Sequence, residues 1–119
     1  MRKIVFLLAI LLMPLTSMAA EFVHPGKFSG TKPEKERVIR FIQENVKEKY
    51  TAIGMGDPMT LRMMEEEELK CFKSLVKVTD RTLLDSVIAE YCAIGMCDYN
   101  TILMMYNEQK KASGKSLSW

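Results

Sequence analysis

The side chains able to do chemistry fall into four groups: thioethers, a run of carboxylates, one imidazole and three thiols. Seven of the ten methionines lie beyond residue 19: Met55, Met59, Met63, Met64, Met96, Met104 and Met105. Thioethers are soft ligands suited to Cu(I), and Met55, Met59 and Met63 are evenly spaced. Methionines at helical spacing more often fill a core. A Met-rich Cu(I)-binding or metal-stress protein is therefore the alternative expectation, and no metal site is assigned. Glu65, Glu66, Glu67 and Glu68 are consecutive. Paired carboxylates can exchange protons or hold a cation. Consecutive residues of a helix point in different directions, however, so these four read as a solvated face offering an acidic epitope to a partner. His24 is the only histidine and sits beside Pro25 and Gly26, where a structural or solvated role is expected. A Ser-His-Asp or Cys-His set would have to use it. The chain has no Gly-rich phosphate loop, no HExxH and no CxxC, the signatures that would announce such chemistry. No enzyme activity and no cofactor are expected.

The residues around these groups are duplicated. Residues 50–70 return 41 positions later as residues 91–111, with 11 identities over 21 aligned positions and no gap. Each copy reads as one helix ending and the next beginning. Gly54 and Gly95 stand where a left-handed residue ends a helix. Met55 and Met96 follow, placed to fold back on Tyr50 and Tyr91, and sulfur on an aromatic ring is a favourable contact. Asp57 and Asp98 then fit the N-cap of the next helix, and Pro58 fits its first position. Cys92 and Cys97 bracket the second corner, whereas the first copy has Thr51 and Gly56 there. Both cysteines are present in one copy and both absent in the other, as a bonded pair should be. Cys71 is left over and is expected to be a small buried hydrophobe beside Phe72 and Leu75.

Residues 1–19 read as a secretory signal peptide: Arg2 and Lys3, an apolar run from Ile4 to Leu15 broken by Pro14, then Ser17, Met18 and Ala19. The run is short of the ~20 apolar residues a membrane span needs, so no stable membrane anchor is expected after cleavage. Periplasmic or secreted location follows, and with it a redox compartment that favours disulfides. Loss of Arg2 and Lys3 takes the formal charge from +2 to 0. A neutral chain does not suit a nucleic-acid partner, which wants a basic face, nor electrostatic membrane binding.

The elements that hold these groups are all helical. Residues 20–32 form an irregular arm, with Pro25, Gly26 and Gly30 against a regular helix and Phe22, Val23 and Phe28 against the domain. Residues 33–76 form a first helical hairpin, 77–111 a second, and 112–119 a flexible tail. In the first helix Ile39, Ile42, Val46, Tyr50 and Ile53 fall at steps of three and four and define its apolar face. The second carries Leu61, Met64 and Phe72; the third Leu84, Val87, Ile88, Tyr91 and Ile94; the fourth Ile102, Leu103, Met105 and Tyr106. The expectation is an all-α domain of two tandem helical hairpins, a repeat protein reduced to two units.

The expected function is a non-catalytic, exported protein-binding module. It would present the face of Glu65, Glu66, Glu67 and Glu68, together with the two corners, to another protein. In size and class alone, small, exported, all-helical and disulfide-stapled, the chain resembles immunity proteins of interbacterial toxin systems. That resemblance implies an inhibitor or immunity-type role. An envelope assembly factor is a further alternative.

Overall fold

Thr31, Asp57, Asp80 and Asp98 each begin a helix by accepting a backbone N–H three residues on, as N-cap side chains do. The computed structural model describes residues 20–119. Their helices are α1 (Lys32–Ala52), α2 (Pro58–Val76), α3 (Arg81–Ala93) and α4 (Tyr99–Ser113), with one 3-10 turn at Pro25–Lys27. No strand occurs among the described residues. The expected signal peptide, residues 1–19, lies outside them.

The two corners are built alike. Gly54 and Gly95 both have φ +78°. The Met55 N–H donates to the Tyr50 carbonyl at 2.8 Å and the Gly54 N–H to Thr51 at 3.1 Å. The second copy repeats these bonds, Met96 to Tyr91 at 2.9 Å and Gly95 to Cys92 at 3.2 Å. This is the paired closing pattern of a Schellman ending, which uses up carbonyls the helix leaves unbonded. The Met55 and Met96 side chains remain exposed. Cys92 and Cys97 are bonded. In the first corner the same positions also touch: a Cβ on Gly56 would lie 2.9 Å from the Thr51 hydroxyl oxygen. The bridge thus covalently closes an approach of these two positions that both copies share.

α1 packs on α2, α2 on α4, and α4 on α3, so the hairpins meet through their second helices. Lys49, one turn before the first corner, reaches Asp98 in the second at 3.7 Å, which puts both corners at one end of the molecule. The core holds Val38, Phe41, Ile42 and Val46 of α1, Cys71, Phe72 and Leu75 of α2, Leu84, Val87 and Ile88 of α3, and Tyr99, Ile102 and Tyr106 of α4. The α1 stripe therefore differs from the expected one. Val38 and Phe41 go inside, whereas Ile39 and Ile53 stay in solvent. α1 carries apolar residues on two overlapping stripes, and α2, with Tyr99 of α4 against Phe41, covers only one.

Tyr99 is the hub. Its fully buried ring meets Phe22, Phe41 and Phe72 at centroid distances of 5.2, 5.6 and 4.9 Å. Its hydroxyl donates to the Val23 carbonyl at 2.8 Å and accepts from the Val23 N–H at 3.3 Å. Burial pushes the phenol's pKa up. The arm is thereby tied to the middle of the core, as its apolar residues lead one to expect. Phe28 adds an edge-to-face contact with Phe72 at 5.0 Å.

Candidate functional site

The four consecutive glutamates separate as α2 turns. Glu68 points inward and is 8% exposed. Its carboxylate accepts the Tyr99 N–H at 2.8 Å and the Asn100 N–H at 3.1 Å, while Asp98 takes the Thr101 N–H at 2.8 Å. The first turn of α4 is satisfied by two carboxylates from two elements. Glu65 is half-buried and pairs with Arg62. Glu66 and Glu67 are exposed, and Glu67 lies near the Cys71 thiol at 3.9 Å. The expected docking face of Glu65, Glu66, Glu67 and Glu68 is thus corrected: Glu68 is withdrawn into the fold, because α4 begins inside the core and its N–H groups need an acceptor there.

Asp57 and Asp98 are helix caps, as their spacing suggests. Asp57 accepts the Thr60 N–H at 2.9 Å, and that bond holds its carboxyl below the usual range. His24 accepts the Gly26 N–H on Nδ1 at 2.9 Å, so its proton sits on Nε2, 2.7 Å from Asp85 Oδ1. It fastens the arm to α3. Cys71 is buried and free. Burial, with Glu67 and Glu68 close by, pushes its thiol up to about 11, so it is overwhelmingly the unreactive thiol at neutral pH.

Five of the seven methionines beyond residue 19 are not core filling. Met55, Met59, Met63, Met96 and Met104 are exposed, and only Met64 and Met105 pack partly on the core. Met59 and Met63 fall off the inward stripe of α2 and are 79% and 58% exposed. Three exposed pairs match across the duplication: Ile53 with Ile94, Met55 with Met96, and Met63 with Met104. The repeat preserves apolar surface at the corners as well as the turn itself.

An apolar hollow lies elsewhere, along the α1–α2 seam. It is a groove of about 440 Å³. Val38 and Ile39 of α1, Leu69, Phe72 and Val76 of α2, and Phe28 of the arm make it apolar. Lys35, Lys73 and Lys77 stand at its rim. Farther along the seam a second hollow of about 180 Å³ shares Ile39 and Leu69, and is bordered by Ile42, Gln43, Glu65 and Glu66. The two form one trough that changes charge from end to end. A smaller space of about 60 Å³ lies among Lys49, Glu67, Glu68, Asp98 and Asn100 near the start of α4; the carboxylates of Glu68 and Asp98 are already spent on backbone N–H groups.

Of the residues expected to dock a partner, Glu65 and Glu66 border the trough. Leu69, Lys35, Lys73 and Lys77 were not singled out by sequence, and Ile39 was expected in the core instead of at a docking face. Their signal was present: Val38 and Ile39 are adjacent apolar residues on one helix, and Leu69, Phe72 and Val76 stand at i, i+3 and i+7. Both patterns carry more apolar arc than a single partner helix buries. Comparison with protein-family models, with curated proteins and with solved structures finds no match.

Proposed function

We propose that this chain is an exported, non-catalytic helical module that binds another protein through the α1–α2 trough. The observation that carries the reading is the trough itself: apolar side chains of both helices and the arm border a space that no part of the described chain fills. Its volume falls within the ~300–1,000 Å³ typical of binding clefts, and Ile39 at its centre is 45% exposed. The surrounding fold is tied down by caps, a disulfide and the Tyr99 anchor, which gives the face a fixed shape. A formed disulfide, and the lack among the described residues of any helix long and apolar enough to cross a membrane, are compatible with export. An inhibitor or immunity-type protein and an envelope assembly factor are both served by such a surface.

The test is a photo-crosslinking residue placed at Ile39 of the exported protein in living cells, with Lys47 as the control position on the exposed side of α1. A discrete adduct from position 39, absent from 47, supports the trough. Equal labelling at both positions, or none at 39, removes it.

A second reading rests on the exposed thioethers. Met59 and Met63 are four residues apart on one helix, so their Cβ atoms lie ~5–6 Å from each other, and soft thioethers suit Cu(I). Stoichiometric Cu(I) uptake, lost in Met59→Leu with Met63→Leu, carries this reading. A titration without uptake ends it.

A further inference from the structure

We infer that the occupant of the α1–α2 trough is an amphipathic helix of about three turns, with its carboxylate-bearing C-terminal end among Lys35, Lys73 and Lys77 and a basic end beside Glu65 and Glu66. The inference rests on the trough being the docking face and specifies the chemistry of what docks.

Length follows from the borders. From Glu65 to Lys77 along α2 is about 18 Å, the rise of roughly 12 helical residues. The form of the occupant follows from the walls. Both are helices whose backbone bonds are closed within themselves, so an extended peptide would find no strand edge to bond to and would leave its own N–H and C=O groups unpaired against apolar side chains. A helix arrives with those groups satisfied and lays an apolar stripe into a groove. The trough also opens to solvent along its length. A bare acyl chain there would keep a wet flank, whereas an amphipathic helix turns a polar back to water.

Orientation follows from charge. None of Lys35, Lys73 and Lys77 has an ion-pair partner among the described residues, and neither has Glu66; Glu65 is held by Arg62, so Glu66 carries the free charge at that end. Free cations at one end and the Glu66 carboxylate at the other match a helix whose negative dipole end faces the lysines; acidic residues at that end, which disfavour the helix when it is alone, are compensated by the lysines once it is docked. Such a helix runs parallel to α2 and antiparallel to α1, so the dipoles of the two walls do not oppose that choice. Exposed rim charges add little affinity each, and their effect is to select direction.

The test is a displayed library of 14-residue helices with a fixed apolar stripe and both ends varied between acidic and basic residues, selected against the whole protein. Enrichment of sequences basic at the N-terminal end and acidic at the C-terminal end is expected. Against Lys35→Glu with Lys73→Glu and Lys77→Glu, the enriched sequences should bind on the order of tenfold more weakly. Against Ile39→Asp they should fail to bind; Ile39 is partly exposed and outside the core, so that variant is expected to fold with a lowered but cooperative thermal transition, and Ile39→Ser serves as the milder second variant. Binders that need Ile39 but show no end preference overturn the inference and leave the docking face standing. No enrichment, or enrichment indifferent to Ile39, also overturns it, and the crosslink from position 39 then decides the docking face separately.

Discussion

The Glu68 carboxylate accepts the Tyr99 backbone N–H at 2.8 Å, so a residue in the middle of α2 caps the first turn of α4. The duplication shows why. The position of Tyr99 is held in the first copy by Pro58, which has no N–H to satisfy, and the position of Glu68 is held in the second by Gln109. Where the first copy has a proline, the second has a buried tyrosine whose N–H needs an acceptor, and the carboxylate of the preceding hairpin supplies it. One divergent pair thereby joins the two repeats.

Glu68→Ala is expected to lower stability by about 2–3 kcal/mol, because the N–H groups of Tyr99 and Asn100 lose their acceptor in a buried setting. Glu68→Gln, which keeps an acceptor oxygen, should lose less. Urea denaturation at pH 7 measures both.

The same residue sets a pH signature. Burial raises the Glu68 carboxyl above its ordinary 4.5. The proton-linked part of its contribution is therefore fully present below 4.5 and is lost as pH rises through the higher folded value, while its hydrogen bonds to Tyr99 and Asn100 remain. Backbone N–H bonds hold Asp57 and Asp80 below their ordinary value, and the Ser29 side chain and backbone do the same for Glu34. Their contributions are present above that value and are lost as pH falls. Glu68 thus opposes the acid loss, and Glu68→Gln should show a steeper decline in Tm as pH falls through the carboxylate range.

Thr51→Cys with Gly56→Cys should form a second disulfide and raise stability by up to about 2 kcal/mol, since these positions already touch. Intact mass with and without reductant reads the bond. Failure to oxidise would mean that the two corners are less alike than their matching backbone bonds indicate.

Tyr99→Phe keeps the aromatic cluster but strips both hydrogen bonds from Val23. A loss of about 1–2 kcal/mol is expected, together with faster proteolysis in residues 20–31, because the arm is held to the core at that hydroxyl.

The corners and caps were legible in the sequence because each depends on residues within six positions of one another: Gly54 closing on Tyr50, Asp57 on Thr60, Cys92 on Cys97. Glu68, Tyr99 and Ile39 were not. Glu68 looks like one member of an acidic run until α4 is laid against α2. Tyr99 aligns with an exposed proline and becomes the hub only because the second repeat starts inside the core. On α1, the stripes through Val38 and through Ile39 are both apolar, and only the placement of α2 decides which is buried and which is left bordering a trough.

The central claim is that the trough is a docking face and not merely a gap in packing. The most direct test pairs two readings on Ile39→Asp: stability, and partner crosslinking from a photoreactive residue at Lys73. Stability should fall by no more than about 1–2 kcal/mol, since Ile39 is only partly buried, while the crosslink to the partner disappears. A crosslink that persists at full strength in the Ile39→Asp protein would contradict the account.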